Sequence, residues 1–191
     1  KKLLLNGKDL GLNINYAIQN KPIGIADGLR IGKKFISNNN VCLILGDNFF
    51  YGQGLSNILI DATKNINGAT IFGYRVSDLS NYGVIKIKNN QPISIIEKPK
   101  SNINGLAVPG IYFYSAEVVN YLDKLKFSKR KELEISTLNN IYLRKKKLKL
   151  LIFNRGITWL DCGTPDNLIE ASRFVQIIEK RQGYKIGCLE E

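Results

Sequence analysis

Val41-Cys42-Leu43-Ile44-Leu45-Gly46-Asp47-Asn48 runs through five apolar residues in a row and then stops on a glycine, a carboxylate and an amide. An apolar run of this length with no polar alternation is the pattern of a strand buried on both faces, as in a parallel sheet covered by helices. Upstream, residues 25–37 repeat their apolar positions at helical spacing and residues 13–19 alternate apolar and polar, so 13–45 reads as β-α-β. Open α/β sheets bind ligands beyond the carboxyl ends of their strands. Asp47 therefore stands where a ligand would sit, although Gly-Asp-Asn is also an ordinary turn sequence.

The same alternation continues outward. A helix is expected over 55–64 and a strand over 69–76. Strands at 83–88 and 92–97, joined by Asn89-Asn90-Gln91, look like a hairpin inserted into the α/β pattern. A strand is expected over 106–114, amphipathic helices over 116–125 and 132–145, and a short strand over 148–153. The last helix should run over 165–182, with Thr164 as its N-cap and Pro165 in the first helical position. No internal repeat or linker divides the chain, and 191 residues suffice for one core. The expectation is a single domain, 1–191, of α/β class with a mixed, mostly parallel central sheet and an inserted β-hairpin.

Composition excludes more than it selects. The 28 Lys and Arg against 16 Asp and Glu give a formal charge of +12, but the lysines are scattered. The densest runs, Lys129-Arg130-Lys131 and 144–147, adjoin helical patterns instead of forming an aromatic-interleaved stripe, so nucleic acid is not an expected partner. Cys42, Cys162 and Cys188 are odd in number and far apart, and histidine is absent; neither a zinc site nor a disulfide framework follows. The chain reads as reduced and cytoplasmic, without an apolar run of the roughly 18–20 residues that a membrane span needs. It has no methionine and opens on Lys1-Lys2-Leu3, which reads as a fragment.

Two more segments place charged groups at element ends: Ile95-Ile96-Glu97-Lys98-Pro99 and Thr158-Trp159-Leu160-Asp161-Cys162-Gly163-Thr164. Two carboxylates and a lysine in such positions suit a phosphate and a divalent cation. Read singly, Asp161 is also a residue before a helix, Lys98 a solvated residue before a proline, and Arg130 part of a basic helix start.

Together with Gln19-Asn20-Lys21-Pro22-Ile23-Gly24-Ile25-Ala26, Tyr82-Gly83-Val84-Ile85, Gly110-Ile111-Tyr112-Phe113-Tyr114 and Arg130-Lys131-Glu132-Leu133-Glu134-Ile135, these segments occur in an order that resembles the sugar-nucleotide-forming nucleotidyltransferases. The likeness covers essentially the whole chain and is greatest to the glucose-1-phosphate thymidylyltransferases, which open dTDP-rhamnose synthesis. It implies a Rossmann-like nucleotidyltransferase fold, dTTP and glucose 1-phosphate as substrates, Mg²⁺ as cofactor and a homo-oligomer, a tetramer in the family.

Residue by residue, the resemblance implies that Gln19 reads the thymine edge while Gly24 allows close backbone approach. Asp47 and Asp161 would hold the metal, with Asn48 beside them on the substrate. Gly83, Glu97 and Val108 would surround the sugar, Lys98 would hold its phosphate and Arg130 would assist. Sister activities with UTP, CTP or ATP, and a non-catalytic sugar-nucleotide-binding fragment, stay open. The family's glycine-rich loop, Gly-x-Gly-Thr-Arg with a following Lys-Pro, is expected upstream of Lys1, so the chain alone is expected to be inactive. Asp27-Gly28 stands where relatives often carry Gln-Ala, and Pro109 replaces a commoner small or polar residue.

Overall fold

The structure, a computed structural model, describes residues 4–64, 66–89, 91–101 and 103–187; Lys1-Lys2-Leu3, Asn90 and Cys188 lie outside them. Strands follow in chain order as β1 (Val41–Ile44), β2 (Asn48–Gly52), β3 (Ala69–Gly73), β4 (Gly83–Lys88), β5 (Gln91–Glu97), β6 (Leu106–Ala107), β7 (Ile111–Tyr114), β8 (Leu148–Ile152) and β9 (Ile157–Asp161). Helices are α1 (Ile25–Ile31), α2 (Lys33–Ile36), α3 (Leu55–Thr63), α4 (Val119–Leu122), α5 (Ile135–Arg144) and α6 (Pro165–Gln182).

The central sheet has the order β1-β7-β3-β8. It is mixed, as expected, but not mostly parallel: β7 is antiparallel to both β1 and β3, and only β3 and β8 pair in parallel. The reason is the insertion of β7 between two strands that otherwise run the same way. The apolar run at 41–45 forms a strand but is not buried on both faces; Cys42 is exposed and Ile44 is 58% exposed. As an edge strand β1 has only β7 beside it among the described residues. The covered strands of this sheet are β3 and β7, every residue of which is buried; Ile71 and Phe72 of β3 both have no exposure. Ile71 packs toward α1, α4 and α5, while Phe72 faces the opposite cluster and stacks on Phe153 at 4.5 Å.

Segment 13–19 alternates in sequence yet forms no strand, because no described strand lies alongside it. The helix expected over 25–37 breaks at Gly32 into α1 and α2, and the one expected over 116–125 becomes a 3-10 turn, Ala116–Val118, followed by α4. The α5 helix begins only at Ile135. Before it, Leu133 is drawn into backbone bonds with the 23–26 segment, donating to Ile23 O (2.7 Å) and accepting from Ala26 N (3.2 Å).

The hairpin of β4 and β5 forms as expected and gains β6 as a third strand. The strand expected over 106–114 divides at Val108-Pro109-Gly110, so that β6 joins the hairpin sheet and β7 the central one. This crossing piece brings the two sheets together at one end of β1. A further pair, β2 with β9, closes the same side. Against it packs α6, through Phe174 on Phe49 and Tyr51. The α6 ends are those expected: Thr164 Oγ1 accepts from Asn167 N at 3.2 Å, Pro165 stands in the first turn, and Gly183 takes the left-handed conformation (φ 76°) past the last turn. Among the described residues no helix is long and apolar enough to cross a membrane.

Candidate active site

Leu45 extends β1 by one backbone bond, from its N–H to Gly110 O at 2.9 Å, before the chain turns at Gly46-Asp47 into β2. In the antiparallel pair of β2 and β9, Asn48 stands opposite Asp161. The register thus sets Asp47 and Asp161 on adjacent strand ends, and a bond from Cys162 N to Asp47 O at 2.7 Å fixes the junction. Both carboxylates turn toward Gly163. A Cβ built on that glycine would lie 3.1 Å from Asp161 Oδ1 and 3.3 Å from Asp47 Oδ2. Glycine keeps this cradle free. Two carboxylates converging on one small space suit a hard divalent cation that takes its other ligands from phosphate and water.

Asn48 is the strut of the arrangement. Its Oδ1 accepts from Trp159 Nε1 (2.7 Å) and from Gly110 N (2.8 Å), while its Nδ2 donates to Asp47 Oδ1 (2.8 Å). Two N–H donors on one side fix which amide atom is oxygen; the amide N–H must then face Asp47. Gly110 has to be glycine, since a Cβ there would meet Leu45 Cδ1 at 2.7 Å and Asn48 Cγ at 2.8 Å.

A cavity of about 160 Å³ extends from these carboxylates into the molecule. Its lining also includes Gly83, Glu97 and Lys98, together with the buried Tyr112, Ser136 and Asn139. This is smaller than the roughly 300–1,000 Å³ of pockets that enclose a drug-sized ligand, and fits one ring-sized group. Glu97 pairs with Gly83 across β4 and β5. Burial pushes its carboxyl above the ordinary carboxylate range, opposed by a hydrogen bond from Ser136, while the charge of Glu134 adds to the rise. Burial and the nearby Glu97 charge likewise hold the Tyr112 hydroxyl well above the usual phenol value. Lys98 has a left-handed backbone (φ 40°), held by its N–H on Tyr82 O at 3.0 Å. Its side chain makes no ion pair among the described residues and borders the cavity.

Asp47, Asn48, Gly83, Glu97, Lys98, Val108 and Asp161, all singled out from sequence, therefore line one cavity. Val108 N donates to Gly83 O at 2.8 Å, so at most Gly83 N–H and the Val108 carbonyl remain for a ligand. Three expected residues stand apart from its lining. Gln19 bonds Gly24 O and Asp27, next in sequence to Ile25 at the cavity wall. Gly24 is demanded by packing, since its Cβ would come within 2.4 Å of Leu133 O. Arg130 turns to Glu132 (3.0 Å) and Glu134 (3.8 Å). Sequence reasoning passed over Trp159, Tyr112, Ser136 and Asn139. For Asn139 a signal existed: it is an amide among Ile135, Leu138 and Tyr142 on the buried face of α5, where its Oδ1 accepts from Tyr114 Oη at 2.7 Å.

A family profile described as nucleotidyl transferase matches residues 1–177. Glucose-1-phosphate thymidylyltransferase of Neisseria gonorrhoeae is 46% identical over all of this chain, which covers 67% of that relative. The enzyme of the same name from Mycolicibacterium smegmatis is 44% identical, again over the whole chain and 66% of its own length. The chain thus spans about two thirds of the curated relatives it matches. Among solved structures, a Bacillus anthracis protein described as a glucose-1-phosphate thymidylyltransferase, in complex with sucrose, superposes with a TM-score of 0.82 at 32% identity, over 98% of this chain and 73% of that one. A UDP-glucose pyrophosphorylase complexed with UDP-glucose shares the fold, with a TM-score of 0.76 at 21% identity over 85% of this chain and 66% of its own.

Proposed function

The chain belongs to the nucleotidyl transferase family and, within it, to the glucose-1-phosphate thymidylyltransferases, and from that premise we propose that its cleft joins dTTP to glucose 1-phosphate, giving dTDP-glucose and pyrophosphate. The observation that carries the reading is the pair of carboxylates around Gly163 at a ring-sized cavity that Glu97 and Lys98 also line.

In this reading the hexose enters the cavity, where Glu97 accepts hydrogen bonds from its hydroxyls and Gly83 N–H and the Val108 carbonyl bound it. The Lys98 ammonium offsets the charge of the sugar phosphate and fixes its position. Arg130, paired with Glu132 and Glu134, adds positive charge nearby and assists without lining the cavity. Gln19, beyond Ile25, reads the base, with Gly24 beside it. Asp47 and Asp161 would hold Mg²⁺; the space that Gly163 leaves beside the two carboxylates and their all-oxygen donors fit it. Bound there, Mg²⁺ supplies charge neutralisation on the transferring phosphoryl group and on pyrophosphate.

The attacking group is a phosphate oxygen with a second pKa of about 6, already ionised at neutral pH. It forms a bond to the α-phosphorus of dTTP as the bond from that phosphorus to the oxygen joining it to the β-phosphorus breaks, and pyrophosphate leaves with that oxygen. No general base is needed, which suits a cleft without histidine. The protein's work is alignment and charge placement. All three sheets contribute to the cleft, and the chain acts as one domain.

Pyrophosphate release with dTTP, glucose 1-phosphate and Mg²⁺, by the chain extended upstream of Lys1 with the family's glycine-rich loop, tests the reading, with Asp161→Asn beside it. Asparagine keeps the acceptor that Asp161 Oδ1 offers Gly163 N at 3.1 Å, so folding should persist while the Mg²⁺ needed for half-maximal turnover rises. Near-parental turnover at limiting Mg²⁺ would remove Asp161 from the metal site.

A further inference from the structure

Asp27 lies in the first turn of α1 and is only 3% exposed, a rare position for a charge. Arg30 Nη2 stands 2.6 Å from its Oδ1 as an ion pair without hydrogen-bond alignment. Its other oxygen, Oδ2, accepts from Gln19 Nε2 at 2.8 Å, and the same Nε2 lies 3.1 Å from Gly24 O.

The two groups facing that nitrogen are both acceptors. With the amide turned over, Gln19 Oε1 would confront a carboxylate oxygen and a carbonyl oxygen, with no hydrogen between them. Only one orientation is tenable. An amide nitrogen has two hydrogens, and the two acceptors use both. What Gln19 presents outward is Oε1 alone, which accepts no hydrogen bond among the described residues. A free glutamine can donate to a base as well as accept from it; this one can only accept.

We propose that Asp27 is a positioning residue that sets base selectivity: by locking Gln19 as a pure acceptor it makes the site choose pyrimidines that carry an N3–H. Thymine and uracil have that hydrogen. Cytosine has a lone pair at N3, which would face Gln19 Oε1 with nothing to share. The inference rests on Gln19 being the base reader. Because Gln19 is exposed, the discrimination is on the order of 10-fold, the upper end of what one hydrogen bond made or lost contributes and below the far larger factors of fully enclosed polar sites.

The test is equilibrium binding of dTTP, dUTP and dCTP to the protein with Mg²⁺ and without sugar phosphate, so that turnover does not enter. The parent protein should bind dTTP and dUTP within a few-fold of each other and dCTP on the order of 10-fold more weakly. In Asp27→Asn the new amide can present either atom, so a turned Gln19 meets one unfavourable neighbour, the Gly24 carbonyl, instead of two, and the dCTP penalty should shrink toward parity. Asp27→Glu, which keeps two acceptor oxygens, should retain the penalty. Should Asp27→Asn fail to fold, Asp27→Gln offers the same two-way amide. A merely structural Asp27 would weaken all three nucleotides together and leave their ratio unchanged, overturning the proposal; so would a parent protein that rejects dUTP as strongly as dCTP. Gln19→Ala separates this from the underlying reading. If discrimination survives in Gln19→Ala, Gln19 is not the reader and both fall; if it vanishes there but persists in Asp27→Asn, only the role of Asp27 falls.

Discussion

Replacing Asn48 with alanine should injure the protein in its fold and in its response to Mg²⁺. The side chain accepts from Trp159 Nε1 at 2.7 Å and from Gly110 N at 2.8 Å. Both donors are in buried residues, Trp159 being only 7% exposed. Orphaning a buried donor costs about 1–3 kcal/mol, so two of them put the loss at roughly 2–6 kcal/mol. Against a total stability of about 5–15 kcal/mol this is a large fraction, and at about 2–4 °C per kcal/mol for a chain of this size it lowers Tm by roughly 5–20 °C. Asn48→Asp divides the two roles. Its oxygens still accept from Trp159 and Gly110, but an oxygen replaces the nitrogen that stands 2.8 Å from Asp47 Oδ1, and two carboxylates at that distance cannot both ionise without a cation. Its Tm should therefore fall less than that of the alanine variant and rise more than the parent's when Mg²⁺ is added. Thermal unfolding with and without Mg²⁺, beside the Mg²⁺ dependence of turnover, reads both effects. An alanine variant with parental Tm and parental Mg²⁺ half-saturation would refute the assignment of Asn48 as the strut of Asp47.

Lys98→Gly should remove the ammonium while relieving a left-handed backbone (φ 40°) that costs a non-glycine residue about 1–3 kcal/mol. We expect equal or slightly greater stability in urea unfolding with a raised KM for glucose 1-phosphate; lost stability with an unchanged KM would make Lys98 structural. Glu97→Gln tests the buried carboxyl, whose affinity for its proton is higher in the folded than in the unfolded protein. Stability therefore falls as pH rises from the ordinary carboxylate value through the raised one, and stays reduced above it. The neutral variant should be the more stable at pH 7, its advantage closing below that window, while its KM for glucose 1-phosphate rises. A parent more stable than Glu97→Gln in neutral urea melts would contradict the burial argument.

The elements that sequence reasoning placed well are those decided by local chemistry. The bounds of α6 come from a capping threonine, a first-turn proline and a left-handed glycine, all within the helix's own neighbourhood. The hairpin of β4 and β5 is likewise local. What failed depended on partners. The unbroken apolar run at 41–45 and the alternating stretch at 13–19 both read as strands, yet one becomes an edge strand and the other no strand, because burial and pairing are supplied by neighbouring segments. The direction of the sheet was misjudged for the same reason. Pro109-Gly110 marks a break within residues 106–114, but nothing there reveals that β7 enters another sheet against the grain of β1 and β3.

Ligand types were legible where roles were not. A carboxylate at a strand end or a lysine before a proline advertises its chemistry by identity alone, and Asp47, Glu97, Lys98 and Asp161 meet in one cavity as expected. Amides carry no such label, since a glutamine or asparagine is donor or acceptor according to what surrounds it. Asn48 was read as a substrate contact, but its Oδ1 is committed to partners 62 and 111 residues away in the chain, leaving its nitrogen to orient Asp47. The resemblance has Gln19 read the thymine edge without saying with which atom, and a carboxylate eight residues on takes its donor. In both cases a carboxylate and an amide fix each other, one at the proposed metal site and one at the proposed base site. A change of one atom, oxygen for nitrogen, should therefore act on metal response at position 48 and on base choice at position 27, with little reason for either to disturb the other.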